Sequence, residues 1–164
     1  MKNKIEELDD IDRKIIFKLQ EDGKASSKEI AEALKVSDGT IRFRMNKLIN
    51  RGLLNIAGSI NPFCFKNGIA AFVGMELEKR THAKTMKSIS NLDGVVSVCN
   101  VSGKYDLLVE VFLESRKDLN KFLIEDLSHI DGINRTETFI ILDALDKWMK
   151  LPKSRLPVRL FLEE

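Results

Sequence analysis

The sequence predicts an α+β protein in two parts, three short helices and then a sheet domain of βαββαβ, ferredoxin-like order. Three observations predict it. Between residues 9 and 51 the apolar side chains recur at helical spacing, and each run opens on a residue that caps helices. From Gly68 the spacing shortens to two within strand-like runs, which alternate with amphipathic helical runs. Between the two regimes Pro62 and Gly68 interrupt both patterns. The chain therefore divides into a helical domain 1–54, a wing and linker 55–67, a sheet domain 68–147 and a tail 148–164.

Asp9 caps the first helix, with Ile11, Ile15, Ile16 and Leu19 inward, and Gly23 is expected where the chain turns left-handed. Ser26 opens the second, Glu29 completes a capping box, and Ile30, Ala31 and Leu34 face inward. After the turn Lys35-Val36, Ser37 caps a third helix with an apolar stripe at Ile41, Met45, Leu48 and Ile49, and Gly52 closes it. LLNIAGSIN then reads as a short pair of β-prone runs.

In the second part, IAAFVGMELE turns Ile69, Ala71, Val73, Met75 and Leu77 to one face of a strand. THAKTMKSISNL is a helix with Met86, Ile89 and Leu92 inward. VVSVCNV and YDLLVEVFLE are strands joined by a hairpin turn at Ser102-Gly103-Lys104. RKDLNKFLIEDLSHI is a helix with Leu119, Phe122, Leu123 and Leu127 inward, and INRTETFIILDAL is the last strand. NLDGVVSV and HIDGINRT occupy matching places in the two halves, the pseudo-repeat this topology implies. The tail KLPKSRLPVRLFLEE carries two prolines, so it is no regular helix, and its apolar content suggests docking.

Composition excludes several classes. At 43% hydrophobic and 32% charged residues the chain is an ordinary globular protein, and a net charge of +2 leaves nucleic-acid affinity to a local patch. No apolar run approaches the ~20 residues of a membrane span. MKNKIEELDDID lacks the apolar core of a secretory signal, so a cytoplasmic protein is expected. Cys64 and Cys99 have no ligand spacing and are expected to be buried small hydrophobes. His82 and His129 sit on separate helices without catalytic or metal-binding companions, so no enzyme, metal or cofactor is expected.

SDGTIRFRMNKLINRG, residues 37 to 52, carries Arg42, Arg44, Lys47 and Arg51 against the single acid Asp38. Two short helices joined by a tight turn, with a supporting helix before and β-prone runs after, spell a winged helix-turn-helix, whose last helix enters the major groove of double-stranded DNA. The apolar stripe holds that helix on its own domain. Ser37, Asp38, Gly39, Thr40, Arg42, Phe43, Asn46, Lys47 and Arg51 are left as the candidate DNA-binding set. Arg pairs with guanine, Asn with adenine, and Thr or Phe touches a thymine methyl. Gly39 permits close backbone approach, and free N–H groups at the helix start suit a phosphate. The alternative is a solvated basic helix, with Phe43 packed on the neighbouring domain and Arg44 serving as a structural ion-pair partner. The ordered caps, turn and wing favour DNA.

The stretch LDDIDRKIIFKLQEDGKASSKEIAEALKVSDGTIRFRMNKLINRGLL resembles the N-terminal domain of the Lrp/AsnC, or feast/famine, transcription regulators. These open with Leu-Asp-x-x-Asp and continue to a Ser-x-x-x-hydrophobic-x-x-Arg helix. SGKYDLLVEV matches the family's Gly-x-Tyr-Asp hairpin, and the resemblance covers about residues 8 to 146. It departs in the wing, where the family more often has a glycine-aromatic pair, and in a longer tail. The resemblance implies a homodimer formed through the sheets, further assembly into a tetramer or octamer, and a response to an amino acid or related metabolite. In physical terms, a sheet face bearing Phe72, Leu108 and Phe112 is expected to be covered by a partner, or by the tail.

Gly103 permits a positive φ that frees nearby N–H groups for a carboxylate, and Asp106 is placed to take an ammonium. Tyr105, in the same hairpin, joins the candidate effector set. Thr136 and Thr138 resemble family positions lining that pocket. The alternative is a plain tight turn with Asp106 as a structural acceptor. Two other functions share the two-domain plan. A sirohaem-decarboxylase-like enzyme would carry a His-x-Tyr-Asn hairpin where this chain has Gly103-Lys104-Tyr105-Asp106. A sensing domain with a vestigial helix-turn-helix would lack salt-sensitive DNA binding.

Overall fold

The structure, a computed structural model, describes residues 8–78 and 82–151, so most of the tail and the His82 side chain lie outside the described residues. It divides into two compact units, Met1–Ala57 and Gly58–Glu164.

The first unit holds α1 (Asp10–Glu21), α2 (Ser27–Leu34) and α3 (Asp38–Asn50). The Asp9 carboxylate caps α1 by accepting from the Ile11 and Asp12 N–H groups. Ser26 and Glu29 form the reciprocal box on α2, and Ser37 accepts from the Thr40 N–H at the start of α3. Each cap contributes about 1 kcal/mol to a unit too small for a large core. Ile15, Leu19, Ile30, Ala31, Ile41 and Leu48 form that core.

Three expectations for this unit are corrected. The turn after α1 is made by Asp22, not by a left-handed Gly23. Asp22 is extended and its carboxylate accepts from the Lys24 N–H at 2.8 Å, so glycine's freedom is not used. Ile49 is 41% exposed, because Ile41, Met45 and Leu48 already fill the inward face. LLNIAGSIN forms no strand pair. The Leu53 and Leu54 N–H groups turn back to the Leu48 carbonyl at 2.9 and 3.3 Å, and both side chains pack on the helical core. A lone two-stranded ribbon has too little to hold it otherwise.

The second unit contains β1 (Ile69–Leu77), α4 (His82–Ser90), β2 (Val95–Asn100), β3 (Leu107–Leu113), α5 (Arg116–Lys121) and β4 (Ile133–Ile140). The sheet order is β2-β3-β1-β4, all antiparallel, which is the split expected from the sequence. Ala71, Val73 and Met75 of β1 and Leu107, Val109, Val111 and Leu113 of β3 meet Ile89, Leu119, Phe122 and Leu127 in the core. Phe122 and Leu127 lie five apart, a spacing that a regular α-helix would turn to different sides. The chain widens there into a π turn over Phe122–Asp126, with the Leu127 N–H bonded to the Phe122 carbonyl, and both side chains reach the core. The last strand is shorter than expected, ending at Ile140.

The opposite sheet face is partly covered by the chain itself. Phe112 is fully buried against Phe65, Ala70, Met149 and Leu151, and Ile60 pairs with Met149 through two backbone hydrogen bonds of 2.8 and 3.0 Å. Lys147 pairs with Glu110 and sits 5.2 Å from the centre of the Phe72 ring. Of the two covers expected for Phe112, a partner or the tail, it is the start of the tail, Met149 and Leu151, that lies over it, and the partner expectation is corrected for this residue. Both cysteines are exposed rather than buried. Val98 takes the inward position on β2, so alternation sends Cys99 to the other face, while Cys64 ends a short helical turn.

Candidate nucleic-acid interface and sensing site

The α2–α3 turn brings the predicted DNA-binding residues together at the start of α3. Lys35 adopts the left-handed conformation (φ 56°), letting the Val36 N–H reach back to the Ala31 carbonyl before Ser37 begins α3. Ser37 and Thr40 share a side-chain hydrogen bond of 2.8 Å, so both hydroxyls shape the first turn. Asp38 accepts from Ser27 Oγ at 2.5 Å and pairs with Arg42 at 2.7 Å. Gly39, Asn46 and Lys47 are exposed, and Phe43 is 70% exposed. Arg51, half-buried, stands at the far end of α3, about 13 Å along the axis from Arg42. An open depression of about 510 Å³ is lined by Ser37, Gly39, Thr40, Phe43 and Lys47, with Asp9 and Arg44 at its side.

Arg44 anchors the helix. It bonds Asp9 at 2.5 Å and Asp12 at 2.8 Å, the latter with a side chain only 6% exposed. The hydrogen bonds it donates to Asp9 and Asp12 hold the guanidinium's pKa above its ordinary value. The Asp12 N–H and Arg44 in turn hold the Asp9 carboxyl below its own. The structural ion-pair role considered for Arg44 is the one it has. Ser27, which supports Asp38 from α2, was not singled out from the sequence. Its only signal is its place beside a helix cap.

In the second unit Tyr105 and the two candidate threonines fall on opposite faces of the sheet. Tyr105 lies over Gly74, where an added Cβ would come within 2.7 Å of the ring. It donates to Glu137 and meets Phe139 edge-on at 6.1 Å. Lys104 pairs with the same Glu137 at 2.5 Å. Lys104 first and Tyr105 second hold the Glu137 carboxyl below its ordinary value. Neither Lys104 nor Glu137 belonged to the expected set, although a charge between Thr136 and Thr138 had to fall on the opposite face. Thr136 and Thr138 pair with Met75 and Val73, so they share the helix-covered side. Thr136 borders a groove of about 250 Å³ together with Ser128, Asn134 and Arg135. Gly103 has the expected positive φ, 142°. One Asp106 oxygen accepts from the Leu77 N–H at 2.8 Å, at the register shift that frees that group from β4, so part of its capacity is structural.

Among the described residues no cluster of three or more His, Cys, Asp or Glu is placed to hold a metal, and no helix is long and apolar enough to cross a membrane.

A helix-turn-helix with a basic outer helix, followed by a separate antiparallel sheet domain, defines a two-domain DNA-binding regulator. Residues 8–49 match the AsnC-type helix-turn-helix domain and residues 70–150 the Lrp/AsnC ligand binding domain. The chain belongs to the Lrp/AsnC family of HTH-type transcriptional regulators. It is 36% identical over 143 residues to an uncharacterized HTH-type transcriptional regulator of Pyrococcus abyssi, covering 87% of this chain and 90% of that one. The solved structure of Escherichia coli AsnC is 26% identical with a TM-score of 0.65, over 84% of this chain and 93% of its own. A transcriptional regulator of Neisseria meningitidis, solved as a complex with L-Met, shares the fold at 24% identity and a TM-score of 0.67, over 88% and 96% of the two chains. The family and these relatives are regulators rather than enzymes, and they lend the tetrapyrrole-enzyme alternative no support.

Proposed function

We propose that the protein acts in the cytoplasm as a homodimer presenting two copies of α3 to operator half-sites about one helical turn apart, or a multiple of that. Arg42, Thr40 and Phe43 read bases, Lys47 and Arg51 hold phosphates, and Ser37, Asp38, Gly39 and Asn46 complete the contact surface. The observation that carries this reading is the exposure of Arg42 and Phe43. Their outward faces, 68% and 70% exposed, stand on a helix whose opposite side is buried and pinned by Arg44. A footprint of the protein on the DNA upstream of its own gene, followed across a salt series, tests it. Protection of a pseudo-palindrome that weakens steeply with salt supports the reading. No protection there, followed by an empty genome-wide selection of bound DNA, overturns it.

The dimer and its further assembly to a tetramer or octamer are supported by the apolar run after β4. Leu142 and Leu145 are 90% and 94% exposed, and Trp148 is 62% exposed. Light scattering of the purified chain checks the assembly, and a monomer at micromolar concentration counts against it.

The effector we propose is an amino acid, the class of ligand in the L-Met complex of the Neisseria regulator. The sheet separates Tyr105 from Thr136 and Thr138. Tyr105 and the two threonines therefore reach one ligand when two subunits contribute. Calorimetric titration with the standard amino acids tests this, and loss of binding in both Tyr105→Phe and Thr138→Val is expected.

A further inference from the structure

We propose that Asp38 is a positioning residue and not a base contact: with Ser27 it fixes the Arg42 guanidinium in the pose that reads its base. This rests on the DNA-reading role of α3. Both carboxylate oxygens of Asp38 are engaged, Oδ1 by Ser27 Oγ at 2.5 Å and Oδ2 by Arg42 Nη2 at 2.7 Å. Asp38 and Arg42 are one turn apart, so the arginine folds back along α3 toward its N-terminal end, the end such helices direct at base edges.

A pair of this kind between Asp38 and Arg42 alone would be weak, because the two side chains are 38% and 68% exposed. Ser27 changes that. It belongs to the first turn of α2, is half-buried, and ties the carboxylate to a second helix. The guanidinium has five donors, so the one given to Asp38 leaves others for the acceptor pair of a guanine. An arginine already held in place loses less conformational freedom on binding its base.

The same carboxylate has a second effect. It places a negative charge among the groups facing the DNA backbone, which disfavours any duplex that does not repay it through the Arg42 contact. Asp38 therefore raises discrimination and lowers sequence-independent affinity. A merely structural residue would shift both downward when replaced.

The test uses the full chain, an operator obtained by selection from random duplex DNA, its single-base variants and an unrelated duplex. Asp38→Asn is expected to lower discrimination at one base position by about tenfold while raising affinity for the unrelated duplex about two- to fivefold. Ser27→Ala, which keeps the Asp38 charge, should lower discrimination by less and leave affinity for the unrelated duplex unchanged, and Ser27→Thr should restore discrimination. Arg42→Lys should lose discrimination at the same position with an unchanged salt slope. Thermal melting accompanies each variant. Unchanged discrimination in Asp38→Asn overturns the inference, and so does a parallel loss of both affinities tracking a loss of stability. Failure of the wild-type chain to select any DNA sequence is a different result, one that removes the DNA-reading role itself.

Discussion

Replacing Arg44 by methionine keeps the aliphatic stem and removes the cation that joins α3 to the start of α1. The Asp12 carboxylate, with a side chain 6% exposed, then loses its charged partner at 2.8 Å. Stripping one member from a buried pair costs about 3–5 kcal/mol. Arg44 is itself 25% exposed, so water reaches the vacated place, and the expected loss falls to about 2–3 kcal/mol. Nothing is added for the exposed Asp9. In a helical unit of this size that loss lowers the melting temperature by roughly 10–20 °C. Helical circular dichroism reads mainly the first unit, since α1, α2 and α3 together hold more helical residues than α4 and α5 of the second. The fluorescence of Trp148, the chain's one tryptophan, reads the second. The helical transition should move and the fluorescence transition should stay. A loss below about 0.5 kcal/mol, within the range of ordinary surface substitutions, would refute the anchoring role. So would Asp12→Leu/Arg44→Met proving no more stable than Arg44→Met alone, since that pair of changes removes the stranded charge.

Further outcomes follow from the same geometry. Arg42→Ala should cost about 1–3 kcal/mol on the operator and relax preference at one base, as read by competition binding; a loss uniform across all DNA sequences counts against it. Gly74→Ala drives a methyl into the Tyr105 ring, and the second unit should lose about 1–3 kcal/mol in urea titration. Glu137→Gln, which leaves that space open, should cost less. Acid should destabilise the helical unit. Asp9, ordinarily near 3.8, and Glu29, near 4.5, both have folded values lowered by backbone N–H groups. Their contribution is therefore complete above the unfolded values and lost as pH falls through the folded ones. The slope of stability against pH in that window should flatten in Asp9→Asn and Glu29→Gln, and an unchanged slope would exclude both groups.

The parts of the molecule written in local chemistry were readable from the chain. Ser26 with Glu29, Ser37 before α3, and the alternation of Ala71, Val73 and Met75 each state their structure within a few residues. The clustering of Ser37 to Lys47 at one helix face followed from the same periodicity. What escaped depends on partners distant in sequence. Phe112 was expected under a partner before the tail because nothing near it announces Met149 and Leu151. Ser27 and Asp38 are eleven residues apart, and Lys104 and Glu137 are joined only by the sheet register. LLNIAGSIN had the composition of a hairpin, but its first two N–H groups were claimed by the end of α3. The π turn was implied by the five-residue step between Phe122 and Leu127, both expected inward, which a regular α-helix cannot bring to one face.

The pairing of Ile60 with Met149 has a mechanical consequence. The chain leaving the helical unit becomes fixed to the sheet at Ile60 by a residue that follows the entire sheet, and Lys147 rivets that strap to Glu110. Only the few residues between Leu54, packed on the helical core, and Ile60 are thus held by neither pairing nor core, and that limit is set by a residue far along the chain. Cutting the chain ahead of Lys147 should pay out slack. In the proposed dimer, a longer free linker would let the protein accept half-sites spaced more variably, a change that a ladder of synthetic spacings would display directly.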